Sequence, residues 1–190
     1  SACTSINEEI VHGIPNKKRI LREGDIVSVD IVVDNKGYMA DACRTFAVGN
    51  ISDDAKRLVT TAERAFFEGL RYCKKGNRLM DVAGAIQRTV EGEGFNVIRD
   101  FVGHGIGKEM HEDPKVFNYV PGREERAKNP RLLPGMTLAI EPMICQGDFE
   151  VDVLPDNWTA VTVDGGLSAH YENTVLITEG EPELLTLYKD

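Results

Sequence analysis

Asp30, Asp41, His104, Glu141 and Glu172 carry ionisable side chains in segments where such groups are out of place. Asp30 interrupts the apolar run Ile26-Val27-Ser28-Val29-Asp30-Ile31-Val32-Val33. Glu141 follows Thr137-Leu138-Ala139-Ile140, and Glu172 precedes Asn173-Thr174-Val175-Leu176-Ile177. A carboxylate on such a strand is at least partly buried, and an unpaired buried charge costs several kcal/mol, comparable with the whole stability of a domain. Acids that converge on one place therefore need cations or shared protons. One imidazole with four carboxylates suits Mn²⁺, Fe²⁺, Co²⁺ or Zn²⁺, whereas all-oxygen ligation would favour Mg²⁺ or Ca²⁺. Two such ions about 3.5–4 Å apart, joined by bridging carboxylates, acidify a shared water and polarise a carbonyl. That chemistry hydrolyses amides without a protein nucleophile.

Taken singly, each acid reads more often as a surface or ion-paired residue. His104 lies between Gly103 and Gly105, where the chain can turn sharply and aim the imidazole inward. His12, ahead of Gly13-Ile14-Pro15, also reads as a turn residue, and His111 in Met110-His111-Glu112-Asp113-Pro114 as a loop cap. The run Gly103-His104-Gly105-Ile106-Gly107 lacks the following helix that a phosphate loop needs. No Gly-x-Ser-x-Gly elbow occurs, and no cysteine sits in a recognisable protease context. The pieces gain weight by occurring together.

Positioning falls to strands and two helices. Cys3-Thr4-Ser5-Ile6-Asn7 is strand-like, and residues 25–33 and 38–48 form a hairpin around Asp34-Asn35-Lys36-Gly37. A two-residue Asn35-Lys36 loop would set Asp30 directly opposite Asp41, where like charges about 4.5–5.5 Å apart at Cβ repel. A three-residue loop with a Gly37 bulge would break that register. Ser52 is an N-cap, Asp53 and Asp54 suit the helix dipole, and Gly76 lies just past the expected end. Leu58, Ala62, Ala65, Phe66, Gly69 and Leu70 form that helix's apolar stripe. A second helix spans about residues 79–93 and stops at Gly94. Residues 113–135, with four prolines, read as a long irregular excursion, and strands are expected near 137–144, 149–154, 158–163, 168–178 and 183–187. Two packed helices beside a mostly antiparallel, curved sheet make an α+β domain. The absence of a β-α-β series argues against a doubly wound fold.

At 190 residues the chain fits one domain with a substantial core. A net charge of −9 argues against a general nucleic-acid binder. No apolar run approaches the roughly 20 residues of a membrane span, and nothing at Ser1 resembles a signal peptide. Cys3, Cys43, Cys73 and Cys145 are widely spaced and read as free thiols of a reducing cytoplasm.

Read in order, the motifs resemble the type I methionine aminopeptidases of the creatinase-like "pita-bread" superfamily. The matching stretches are Ser5-Ile6-Asn7-Glu8 leading to His12-Gly13-Ile14-Pro15, Gly24-Asp25-Ile26-Val27 leading to Asp30, and Gly37 leading to Asp41. They continue with Gly103-His104-Gly105-Ile106-Gly107, Pro134-Gly135-Met136-Thr137, Ile140-Glu141-Pro142-Met143 and Tyr171-Glu172-Asn173-Thr174. The resemblance implies a pita-bread fold with helices on the outer face of the curved sheet, residues 1–190 forming one metallopeptidase catalytic domain that lacks the family's N-terminal segment. It implies two divalent metal ions (Co, Mn, Fe or Zn), bridged by Asp41 and Glu172, with Asp30 chelating one and His104 with Glu141 holding the other. A metal-activated water would attack the carbonyl after an N-terminal methionine, with Glu141 relaying its proton. His111 would stabilise the developing charge and His12 would assist the leaving amine. Cys3, Met110 and Trp158 would line the methionine pocket, where soft sulfur and an aromatic face suit a thioether. The implied partner is the initiator methionine of peptides and nascent proteins, in the cytoplasm and in association with the ribosome, with no direct nucleic-acid or membrane contact. Two alternatives remain open: a proline-specific pita-bread peptidase, and a shortened, non-catalytic chain that binds metal or peptide.

Overall fold

The computed structural model describes residues 2–187. Four strands come first: β1 (Ala2–Ile6), β2 (Glu9–Val11), β3 (Ile26–Asn35) and β4 (Tyr38–Ala47). Two helices follow, α1 (Asp53–Leu70) and α2 (Leu79–Gly92). Then come β5 (Asn96–Val97), β6 (Gly103–Gly105), β7 (Glu112–Val116) and the short α3 (Arg123–Ala127). The chain closes with β8 (Thr137–Ile140), β9 (Met143–Cys145), β10 (Val151–Val153), β11 (Ala160–Thr162), β12 (Ser168–His170), β13 (Asn173–Leu176) and β14 (Glu183–Leu184). The strands form four small sheets, β1-β3-β4, β10-β11-β2, β12-β9-β5 and β14-β13-β8-β6-β7. Every pairing within them is antiparallel, as an α+β reading requires.

The Ser52 hydroxyl accepts from the Ala55 amide at 3.1 Å, and Asp53 and Asp54 fill the first turn of α1. The inward stripe of Leu58, Ala62, Ala65, Phe66 and Gly69 is buried. At Gly69 a Cβ would lie 2.8 Å from Ile86 Cγ1, so glycine lets α1 and α2 approach closely. Both helices cover the second half of the chain: α1 lies on β9 and β12, and α2 on β5. Phe66 packs against Tyr171 at 5.2 Å, carrying the core to the segment before Glu172.

Several expectations need correction. Helix α1 ends at Leu70, short of Gly76, because the amides of Tyr72 and Cys73 turn back onto the carbonyls of Gly69 and Leu70. The stretch 113–135 is not wholly irregular. It begins inside β7, where Pro114 is tolerated because β7 is an edge strand, and it contains α3. The strands expected at 137–144 and 168–178 are each broken, at Glu141-Pro142 and at Tyr171-Glu172. Pro142 has no N–H to continue the ladder, and its carbonyl instead accepts from the Tyr171 amide at 3.3 Å.

The hairpin register also differs from both loop readings. Asn35 pairs with Tyr38, so the loop residues are Lys36 and Gly37, with φ of 58° and 85°. Two positive-φ residues make the primed turn that matches strand twist, and the Asp34 carboxylate accepts from the Gly37 amide at 2.7 Å. Asp30 therefore faces Cys43, and Asp41 faces Val32. The two acids remain on one face but sit diagonally, which relieves the head-on repulsion.

Replacing Gly37 with alanine should cost stability through backbone strain alone, since no atom lies within 4 Å of the added Cβ. A left-handed residue costs roughly 1–2 kcal/mol. Urea unfolding of the variant should show a loss of that order, and an unchanged midpoint would place the turn elsewhere.

Candidate metal centre

Sheet register brings the five residues to one place. In the hairpin, Cys3 of β1, Asp30 of β3 and Cys43 of β4 stand in one row across three strands, with Asp41 two residues along. In the five-stranded sheet, His104 pairs with Ala139, and Asn173 pairs with Ile140. Glu141 directly follows Ile140 and Glu172 directly precedes Asn173, so both acids lie at the end of that pairing. A seam joins the two groups. The Thr174 hydroxyl accepts from the Asp41 amide at 2.9 Å and donates to the Asp41 carbonyl at 3.0 Å, and the Glu172 amide donates to the Cys43 carbonyl at 3.0 Å. Arg44 donates to the Glu172 carbonyl and, at 2.7 Å, to Asn173 Oδ1, while its guanidinium lies 4.0 Å from the Tyr171 ring centroid.

Asp41, His104 and Glu172 each present a ligand atom within 4.8 Å of the other two. Glu141 Oε1 lies 3.4 Å from His104 Nε2, and Asp41 Oδ2 lies 4.0 Å from the same nitrogen. Asp30 adjoins Asp41 closely enough for their carboxyls to hydrogen-bond. His104 Nδ1 meets the Gly105 carbonyl at 2.9 Å. A carbonyl only accepts, so Nδ1 carries the proton and Nε2 offers its lone pair inward.

The electrostatics show how unfavourable this cluster is by itself. Asp30 Oδ1, Asp41 Oδ1, Glu141 Oε1 and Glu172 Oε1 are buried oxygens without a hydrogen-bond partner among the described residues. Burial, and then the charge of Asp30, push the Asp41 carboxyl up to about 7. Glu141 and Glu172 lie well above the ordinary carboxylate range, chiefly through burial, with the neighbouring acids adding to it. Burial also draws His104 below its usual value. A cluster of partnerless oxygens and one imidazole lone pair fits divalent cations.

A cavity of about 290 Å³ opens onto this cluster. His111 sits beside His104, ring centroids 4.4 Å apart, and His12 stacks on Trp158 at 4.9 Å with Phe101 edge-on at 5.4 Å. His12 adopts φ of 65°, a left-handed turn that carries its ring to the cavity wall. Cys3, Met110 and Trp158 line the same cavity. Burial and nearby acids raise the thiols of Cys3 and Cys43, so neither is a poised thiolate.

Residues 1–179 match the model of metallopeptidase family M24. The chain belongs to this family. It is 54% identical over 187 residues to the methionine aminopeptidase of Clostridium acetobutylicum, covering 98% of this chain and 73% of that protein. To the methionine aminopeptidase of Escherichia coli K12 it is 42% identical over 190 residues, covering 100% of this chain and 70% of that one. The crystal structure of methionine aminopeptidase from Thermotoga maritima superposes with a TM-score of 0.93 at 49% identity, over 98% of this chain and 74% of that one. X-Pro aminopeptidase from the same organism gives a TM-score of 0.73 at 20% identity over 99% of this chain and 47% of that one, a likeness of fold alone. The M24 chain thus has the pita-bread fold, and its family works with divalent metal.

Sequence reasoning overlooked two residues that border the cluster. His170, 2% exposed, faces Glu141 and Glu172, and Asn118 Nδ2 holds the Glu141 carbonyl at 2.9 Å. His170 stands two residues before Glu172, a spacing that offered a signal. Asn118 lay within the stretch read as irregular and offered none.

The raised carboxyls fix the sign of a pH dependence in the metal-free protein. Above pH 6.5 the folded state retains protons that unfolded carboxyls have lost, so stability falls as pH rises through about 7 for Asp41, and further for Glu141 and Glu172. The buried histidines His104 and His170 act oppositely, but only below 6.5. The metal-free melting temperature should therefore drop between pH 6.5 and 8.5. Divalent cations should raise it most at the upper end, and a metal-free protein that grows more stable across that interval would contradict the electrostatics.

Proposed function

We propose that this chain is the catalytic unit of a dinuclear metallo-exopeptidase that removes the N-terminal methionine of peptides and newly made proteins. One observation carries the reading: four carboxylates with partnerless buried oxygens and one inward-facing imidazole nitrogen meet at the floor of a cavity lined by histidine, sulfur and aromatic groups. The names borne by relatives 42–54% identical to the chain support it. Residues 1–190 would act as one domain, in the cytoplasm and on chains emerging from the ribosome; the free thiols agree with a reducing compartment.

Asp41 and Glu172 would bridge two ions, Asp30 would hold one of them, and His104 with Glu141 the other. Mixed nitrogen and carboxylate ligation suits Co²⁺, Mn²⁺, Fe²⁺ or Zn²⁺. When bound, the pair supplies Lewis acidity and a water acidic enough to attack near neutral pH. Glu141 would serve as the proton acceptor of the reaction and would pass the proton toward the leaving amine. His111 donates a hydrogen bond to the scissile carbonyl oxygen as charge develops, and His12 contacts the peptide nitrogen and assists its protonation. Cys3, Met110 and Trp158 enclose the methionine side chain through soft and aromatic contacts. Burial draws the His12 imidazole below its usual value against the opposing charge of Asp30, with His111 adding to the fall.

Substrate choice separates this reading from the two alternatives. A peptide panel should show faster cleavage of Met-Ala and Met-Gly bonds than of Xaa-Pro bonds; the reverse order would favour a proline-specific peptidase. Tight metal uptake without turnover of any peptide would favour a binding chain.

Mutation separates the roles. Asp41→Ala or Glu172→Ala should abolish turnover and weaken both metal sites, because each carboxylate serves two ions. His111→Ala should leave metal content intact while kcat falls about 100-fold or more, the scale of losing one transition-state donor. Metal analysis alongside kinetics decides the point, and equal loss of metal in the His111 variant would overturn its role.

A further inference from the structure

Three of the four histidines have roles in the reading above; the fourth, His170, does not. It ends β12, where its backbone is pinned on both sides by one hydroxyl: Thr45 Oγ1 accepts from the His170 amide at 2.9 Å and donates to the His170 carbonyl at 2.9 Å. The side chain is 2% exposed, and Nε2 has no hydrogen-bond partner among the described residues. That nitrogen lies 3.9 Å from Glu141 Oε2 and 3.9 Å from Glu172 Oε2. Both separations exceed a hydrogen bond, yet a shift of about an ångström by either carboxylate would close the gap.

Glu141 consequently sits between two imidazoles that face it differently. Its Oε1 looks toward His104 Nε2, a lone pair because Nδ1 is spent on the Gly105 carbonyl. Its Oε2 looks toward His170. A lone pair at His170 Nε2 would face two acceptors and repel both, whereas an Nε2–H there would meet a waiting oxygen from either acid.

We propose that His170 is a positioning residue of the metal centre, whose Nε2–H is shared between the outer oxygens of Glu141 and Glu172 while their inner oxygens turn to the cations. It fixes the orientation of one bridging and one terminal carboxylate, and thereby the proton-accepting face of Glu141. It touches neither substrate nor metal. Carboxylate ligands are themselves hydrogen-bonded in this way, and losing such a partner costs about 10–100-fold in metal affinity or activity. The inference rests on the dinuclear reading of the site.

The test uses the full chain with Co²⁺ alone as the probe. His170→Gln keeps an N–H at similar reach, and His170→Leu removes it. Cobalt affinity, followed by titration of its visible absorption, should fall about 10–100-fold in the leucine variant, and the glutamine variant should recover most of the loss. With a methionyl peptide, kcat should fall in the leucine variant while KM changes little. Equal affinity in the leucine variant and the unsubstituted chain, or an equal loss in both folded variants, overturns the proposal. Should the leucine variant fail to fold, ¹⁵N spectra of the imidazoles in the unsubstituted chain decide instead. A His170 Nε2–H that becomes protected from exchange on adding Zn²⁺ supports the role, and an Nε2 that shifts to the position of a metal-bound nitrogen makes it a ligand and overturns the role. No cobalt uptake by the unsubstituted chain would defeat the metal reading itself, whereas uptake indifferent to His170 defeats only this inference.

Discussion

Asp41 and Glu172 meet because two sheets are stitched edge to edge between β4 and the start of β13. The stitch is short. Thr174, 133 residues from Asp41 along the chain, satisfies both backbone groups of Asp41 with one hydroxyl, and Cys43 and Glu172 exchange backbone bonds beside it. Arg44 then covers the junction, bonded to the Glu172 carbonyl and stacked on Tyr171. All of these contacts engage main chain or neighbouring side chains. One oxygen of each acid, Asp41 Oδ1 and Glu172 Oε1, is left without a partner among the described residues, so position is fixed largely by groups that do not compete for a ligand.

That division explains how the fold tolerates so unfavourable a cluster. Burial and the neighbouring acids push the carboxyls of Asp41, Glu141 and Glu172 above the ordinary range, so these three resist ionisation. Without cations the fold relieves the strain by holding protons. On the proposed function, each proton would give way to a ligand bond, and the same burial that is a penalty would sharpen the attraction. Cys3 and Cys43 flank Asp30 in register and feel the same acids, which keeps both as neutral thiols. They add soft, uncharged surface without adding negative charge.

Much of this could be read before any coordinates. Acids inside apolar strands stood out because burial and charge conflict, and the Ser52 cap and Gly94 stop follow from local backbone chemistry. The hairpin register could not be read, because it turned on whether Asn35 or Lys36 begins the loop. Lys36 takes the left-handed conformation, and local propensity does not single out lysine for that. The breaks at Glu141-Pro142 and Tyr171-Glu172 were hidden for another reason. Strand-forming residues continue past both points; Pro142 offered a signal at the first, and at the second only the partner strand reveals that pairing stops. His170 escaped notice because a histidine in an apolar strand reads as core. The acids that give it meaning reach it from β8 and β13, outside its own sheet.

The two halves of the site differ in how they are supported. His104, Glu141 and Glu172 belong to the half that α1 and α2 cover, with Leu138, Ile140 and Val175 in the main core. Asp30 and Asp41 belong to a hairpin whose far face leaves Ile31, Val33 and Phe46 between 44% and 53% exposed. Apolar burial holds that hairpin at its base, through Ile26, Val27 and Cys43, and beyond the base its position leans on the seam at Thr174 and Arg44. On the proposed function, cations held jointly by Asp41 and Glu172 would tie the lightly supported half to the well-packed one. Binding free energy would then enter directly as stability of the hairpin. The metal centre and the closure of the fold would be one equilibrium, which is why the acids sit at the junction of the sheets and not within either sheet alone.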